Sequence, residues 1–129
     1  MPEPLPGAGQ RPSPDAVLSP IRNTVRALIV QRNHVLLLRK ELADGTVCHT
    51  LPGGAQEPGE GLVETLQREC REEIGAGVEV VELLHVADLF KRRAAKRACY
   101  RHQLELVFRC RVGSDYIPHK GPKPDKFQA

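Results

Sequence analysis

Tryptophan is missing from this chain of 129 residues, and aromatic side chains of all kinds make up only 4% of it. So few rings leave little from which to build a platform for stacked bases, the usual means of holding single-stranded nucleic acid. A long apolar run is missing too: nothing approaches the roughly 18 consecutive apolar residues of a membrane span. The opening residues, MPEPLPGAGQRPSPDAVLSP, lack the basic start and apolar centre of a secretory leader, so a cytoplasmic protein is the expectation. Cys48, Cys70, Cys99 and Cys110 form no Cys-x-x-Cys pair, which argues against a zinc site and reads as reduced, partly buried thiols. The five histidines are scattered without metal-binding spacing. A net charge of +3 is too weak to argue for a nucleic-acid or membrane partner.

What is present fits one domain. A chain of 129 residues supports one hydrophobic core and is too short for two. Residues 1–20 hold six of the eleven prolines and read as a disordered tail, which leaves 21–129 as the folded domain. Thr24–Val30 and His34–Arg39 are strand-like runs, and Gln31–His34 between them suits a hairpin turn. Glu41–Cys48, containing Asp44-Gly45, reads as a loop. Val78–Val86 is a further strand. In residues 102–112, Leu104, Leu106, Phe108, Cys110 and Val112 alternate with polar neighbours, as in a half-buried strand. Residues 113–129 are polar and rich in proline and lysine.

The strongest helix signal runs from Gly61 to Ile74 and stops at Gly75, a residue suited to the left-handed cap conformation. At about 100° per residue, Leu62, Val63, Leu66, Cys70 and Ile74 fall within an arc of about 120°, which should face a sheet. Glu69, Glu72 and Glu73 crowd an arc that overlaps one edge of it. Carboxylates beside a buried stripe repel one another and are costly to desolvate. A solvated acidic face is the ordinary explanation. A divalent cation with oxygen ligands is the sharper one, because it removes the repulsion.

The surrounding residues favour the sharper explanation. Gly54 is followed by five residues, Glu60, seven residues, and then Arg68-Glu69-Cys70-Arg71-Glu72-Glu73-Ile74-Gly75-Ala76. This resembles the signature box of the Nudix family, with every fixed position at its spacing, a match that chance supplies about once in 10⁸ starting points. Leu51-Pro52-Gly53-Gly54 and Glu57-Pro58-Gly59-Glu60 are also similar to the family. Cys70 and Ala76 stand where larger aliphatic residues are usual, which affects packing but removes no ligand. Residues 22–128 as a whole resemble a small bacterial Nudix domain whose final strand and helix are missing.

The resemblance implies an α/β/α sandwich with a mixed sheet and a loop–helix carrying the box. It implies Mg²⁺-dependent hydrolysis of a phosphoanhydride in a nucleoside diphosphate linked to another group, with water attacking phosphorus. Mn²⁺ is a second candidate ion, since carboxylate oxygens suit both. It assigns Glu69, Glu72 and Glu73 to the metal and has Glu60 assist through the metal or its water. Arg68 lies four residues before Glu72 and four after Glu64, so it can brace this acidic surface. Gly53 and Gly54 would let the backbone approach substrate phosphates. Glu105 and Asp115 are candidates for a further acidic ligand. A homodimer is plausible by analogy with the family. A catalytically weak nucleotide sensor is the alternative, although such members usually lose Glu or Arg from the box. Lys91–Arg97 reads as a solvated basic loop, and Phe90 and Tyr100 as either packing or stacking residues. The ADP-ribose subgroup tends to carry a proline about sixteen residues past the box, where this chain has Arg92. The sequence names no substrate.

Overall fold

A computed structural model describes residues 17–18, 20–92 and 99–123. Its strands are β1 (Val17–Leu18), β2 (Arg22–Gln31), β3 (His34–Val35), β4 (Leu38–Glu41), β5 (Val47–Thr50), β6 (Gly53–Ala55), β7 (Glu79–Arg92) and β8 (Cys99–Arg111). The helix is α1 (Leu62–Ile74). The expected disorder of 1–20 gives way at β1, which pairs in parallel with Cys99–Tyr100. The rest of that stretch lies outside the described residues, apart from Pro20.

β8 lies at the centre of a mixed sheet. It runs antiparallel to β7 on one side and parallel to β2 on the other, with Val25 opposite Leu106 and Ile29 opposite Cys110. β2 in turn pairs antiparallel with β6 and β3. The β2–β3 turn falls where the sequence places it. Arg32 and Asn33 both take positive φ, 53° and 64°, the twist that a two-residue hairpin needs. β7 carries two bulges, one between Val80 and Glu82 and one between Leu83 and His85.

Two expectations are corrected in the segment before the box. The run His34–Arg39 does not continue as one strand: it breaks at Leu36–Leu37, and β4 leaves to form a separate hairpin with β5. The Asp44-Gly45 loop is the tip of that hairpin, closed by Thr46 N–H donating to Asp44 Oδ1 and by Gly45 at φ 88°. β6 was invisible in the sequence because glycine has low strand propensity.

α1 lies on one face of the sheet. Leu66, Cys70 and Ile74 are fully buried against Val25, Ala27, Ile29 and Cys110, with Leu62, Leu106, Phe108 and Val112 packed around them. Each such aliphatic side chain contributes about 1.5–3 kcal/mol on burial. Val63 is the exception to the expected stripe, being 45% exposed. Among the described residues no second helix covers the opposite face. Gly61 caps the start of α1, where its N–H donates to the Glu64 carboxylate, and Gly75 ends it at φ 65°.

Candidate active site: a carboxylate helix and the loop that faces it

Glu69 and Glu73 of α1 are not on a solvated face. Glu69 is 2% exposed and Glu73 1%, side by side with the apolar core. Gly53 N–H donates to Glu73 Oε1 at 2.8 Å, while Glu73 Oε2 has no hydrogen-bond partner among the described residues. Burial pushes the Glu73 carboxyl up to about 7, against the pull of the Gly53 hydrogen bond. Helix side chains three and four apart share a face, which is why Glu69 and Glu73 come together here.

The two glycines of the preceding segment each sit where a side chain would collide with a neighbour. Gly53 sits at φ 150°, and a Cβ there would lie 1.9 Å from the Val25 carbonyl oxygen. A Cβ on Gly54 would lie 2.6 Å from the Glu69 carboxyl carbon. Gly53 thus lets the segment lie against β2, and Gly54 makes room for the Glu69 carboxylate. Arg26 anchors the same segment, donating to Leu51 O and pairing with Glu105 at 3.2 Å.

Arg68 is the hub of the loop. Its guanidinium donates to Glu60 at 2.6 and 3.0 Å, to Glu69 at 2.9 Å, to Glu72 at 3.5 Å and to Ala55 O at 3.3 Å. It braces the acidic surface through Glu60 rather than Glu64, which is used in the N-terminal cap. Glu60 accepts further hydrogen bonds from Glu57 N–H and Thr65 Oγ1. Arg68, acting mainly through its hydrogen bond, holds the Glu60 carboxyl down at about 2. With four donors on it, Glu60 shapes the loop and has little capacity left for an ion or its water.

The donor set fits a hard divalent cation. It consists of carboxylate oxygens, one of them buried and unpartnered, on residues whose charge is costly without a counter-ion. Among the described residues no three acidic, histidine or cysteine side chains converge on a single point. Arg68 lies among Glu60, Glu69 and Glu72 and supplies positive charge there.

The other candidates have surroundings of their own. Glu105 is engaged by Arg26 on the sheet. Asp115 lines a hollow with Gly75, Ala76 and Gly77, beyond the end of α1. Phe90 stacks on His102 with ring centroids 4.5 Å apart, so it packs within the β7–β8 pair. Arg93–Arg97 of the basic run, the Tyr100 side chain and the Pro124–Gln128 ending lie outside the described residues.

The sequence profile described as the NUDIX domain matches residues 20–129. The chain belongs to the Nudix family. Among relatives of this Nudix chain, the human 8-oxo-dGDP phosphatase NUDT18 is 35% identical over 82 residues, covering 63% of this chain and 25% of that protein. Nucleoside triphosphatase NudI of Enterobacter sp. (strain 638) is 40% identical over 62 residues, 46% of this chain and 44% of its own. The chain thus spans less than half the length of these two relatives. A solved MutT Nudix hydrolase from Burkholderia pseudomallei superposes with a TM-score of 0.63 at 30% identity, over 86% of this chain and 81% of that one. These Nudix structures share the mixed sheet and its helix.

Sequence reasoning missed three participants: Lys40, Arg26 and the Gly53 N–H. Lys40 and Arg26 both lie within electrostatic reach of Glu73. A basic residue in a strand-like run carries no mark of its own, and only the fold brings these two to the carboxylates.

Proposed function

We propose that this Nudix domain hydrolyses a phosphoanhydride in a nucleoside diphosphate derivative, with Mg²⁺ as the ion and Mn²⁺ as a substitute. The observation that carries the reading is the buried pair Glu69 and Glu73 beside Glu72, a cluster that a folded protein retains at a cost in stability. Glu69, Glu72 and Glu73 hold the cation. When bound, the ion neutralises the diphosphate oxygens and acidifies the attacking water. Gly53 N–H fixes one oxygen of Glu73, and the other has no hydrogen-bond partner among the described residues. Arg68 and Glu60 set the loop geometry and keep Glu69 and Glu72 in place. Water attacks phosphorus, the bridging P–O bond breaks, and a carboxylate of the cluster takes the proton.

A hollow of about 440 Å³ opens beside Glu73, between Leu36–Glu41 and Pro118–Lys120. Arg39, Lys40 and Lys120 line it and favour an anionic substrate. Relatives are named for 8-oxo-dGDP, nucleoside triphosphates and UDP-X, which puts nucleoside di- and triphosphates first among candidates. The test is a panel of plain and oxidised nucleoside di- and triphosphates, nucleotide sugars, dinucleotides and coenzyme A, with Mg²⁺ present. Release of phosphate or monophosphate that Glu72→Gln or Glu73→Gln lowers by orders of magnitude supports the reading. Tight nucleotide binding without turnover would establish the sensor alternative instead.

A further inference from the structure

The last turn of an α-helix leaves four carbonyls without intrahelical partners. In α1 these are Arg71, Glu72, Glu73 and Ile74, and each has a donor. Gly75 N–H reaches Arg71 O at 3.2 Å, as an ordinary left-handed cap does. The other three donors come from one segment that follows β8. Lys123 N–H donates to Glu72 O at 2.8 Å, Gly121 N–H to Glu73 O at 2.9 Å, and Tyr116 Oη to Ile74 O at 2.6 Å.

This segment is fitted to the helix end. A Cβ on Gly121 would fall 2.4 Å from Glu72 O and 2.8 Å from Gly75 N, all backbone that cannot swing aside. Gln31 Nε2 donates to Tyr116 O at 3.0 Å, which ties the segment to β2. The Tyr116 ring lies beside His119, with centroids 5.6 Å apart.

We infer that the Tyr116–Lys123 segment is a positioning clamp for the carboxylates of Glu72 and Glu73, with Tyr116 and Gly121 as its critical residues. Two of the three residues proposed to hold the cation, Glu72 and Glu73, are the ones whose carbonyls Lys123 and Gly121 grip. A side chain starts from its own backbone, so fixing these carbonyls fixes the points from which both carboxylates reach. The donors also offset the partial negative charge that free carbonyls would add beside two acidic groups. A helix end needing only stability could leave its carbonyls to water.

The inference rests on the cation reading given above, and metal affinity separates the two. Mn²⁺ binding to the whole chain is measured by the paramagnetic resonance of free Mn²⁺, at a temperature where every variant is folded. Tyr116→Phe removes one hydroxyl, and Gly121→Ala forces the segment off the helix end. Both should weaken Mn²⁺ binding about tenfold, the lower range for a residue supporting a metal ligand. Ile117→Ser, at a side chain 74% exposed on the same segment, should leave it unchanged. Variants that melt earlier yet bind Mn²⁺ with wild-type affinity would make the segment a plain stabilising cap and overturn the inference. Absence of Mn²⁺ binding by the wild-type protein overturns the cation reading, and the clamp with it.

Discussion

Replacing Glu73 by glutamine separates the charge of this side chain from its size. In the metal-free protein its carboxyl ionises near 7, whereas the unfolded chain returns it to 4.5. At about 1.4 kcal/mol per pH unit, that gap costs the folded state about 3 kcal/mol once the group is charged in both states. The sign follows from proton counts. Between pH 4.5 and 7 the folded chain holds a proton that the unfolded chain has released, so this residue's contribution to stability is greatest below 4.5 and declines as pH rises to 7. Glutamine keeps the acceptor for Gly53 N–H but places an amide where Oε2 has no partner, a loss of about 1–3 kcal/mol. At pH 8 the two effects nearly cancel, so the absolute stability of the variant should match wild type or exceed it by about 2 kcal/mol. The decisive quantity is the slope. Urea unfolding in EDTA at pH 5 and pH 8 should show wild type losing about 2.5 kcal/mol more than Glu73→Gln across that interval. Equal losses would mean that Glu73 is not buried as a charge, and the physical basis for the site would go with it.

Leu66→Ala should cost about 2–5 kcal/mol by urea unfolding, because the side chain is fully buried between α1 and the sheet. Gly54→Ala should displace the Glu69 carboxylate and weaken Mn²⁺ binding with the fold retained, whereas Gly53→Ala should unfold the chain by circular dichroism, since its clash is with backbone. Arg68→Gln should flatten the loss of stability that wild type suffers as pH falls from 4.5 towards 2, the window in which Glu60 gives up its charge against Arg68. A wild-type acid profile in that variant would refute the pairing. The homodimer expected by analogy with the family predicts twice the chain mass by light scattering at micromolar concentration; a single chain mass removes it.

The helix, its limits and its buried stripe were legible because they rest on local spacing. Leu66, Cys70 and Ile74 repeat at helical intervals, and Gly75 marks the stop by its own backbone freedom. The carboxylates proposed to hold the cation stand out through the spacing of the box, although not their depth: periodicity placed Glu69 and Glu73 at the edge of the stripe and the sheet buries them. β6 escaped notice because Gly53 and Gly54 are there for close approach, which no propensity records. The clamp was illegible for a related reason. Its donors are backbone N–H groups and a tyrosine hydroxyl 42 residues from its acceptor, and any sequence offers those.

The two bulges of β7 bear on how the protein behaves when crowded. Fourteen residues of strand, paired only with β8 among the described residues, form a long template on which a neighbour's backbone could add rung by rung. Fibril growth requires an even ladder, and the register slips at Val80/Glu82 and again at Leu83/His85 break that rhythm twice within a few residues. The apolar Leu83 and Leu84 occupy the interrupted stretch, so the part of the edge most attractive to another chain is the part least able to extend into amyloid.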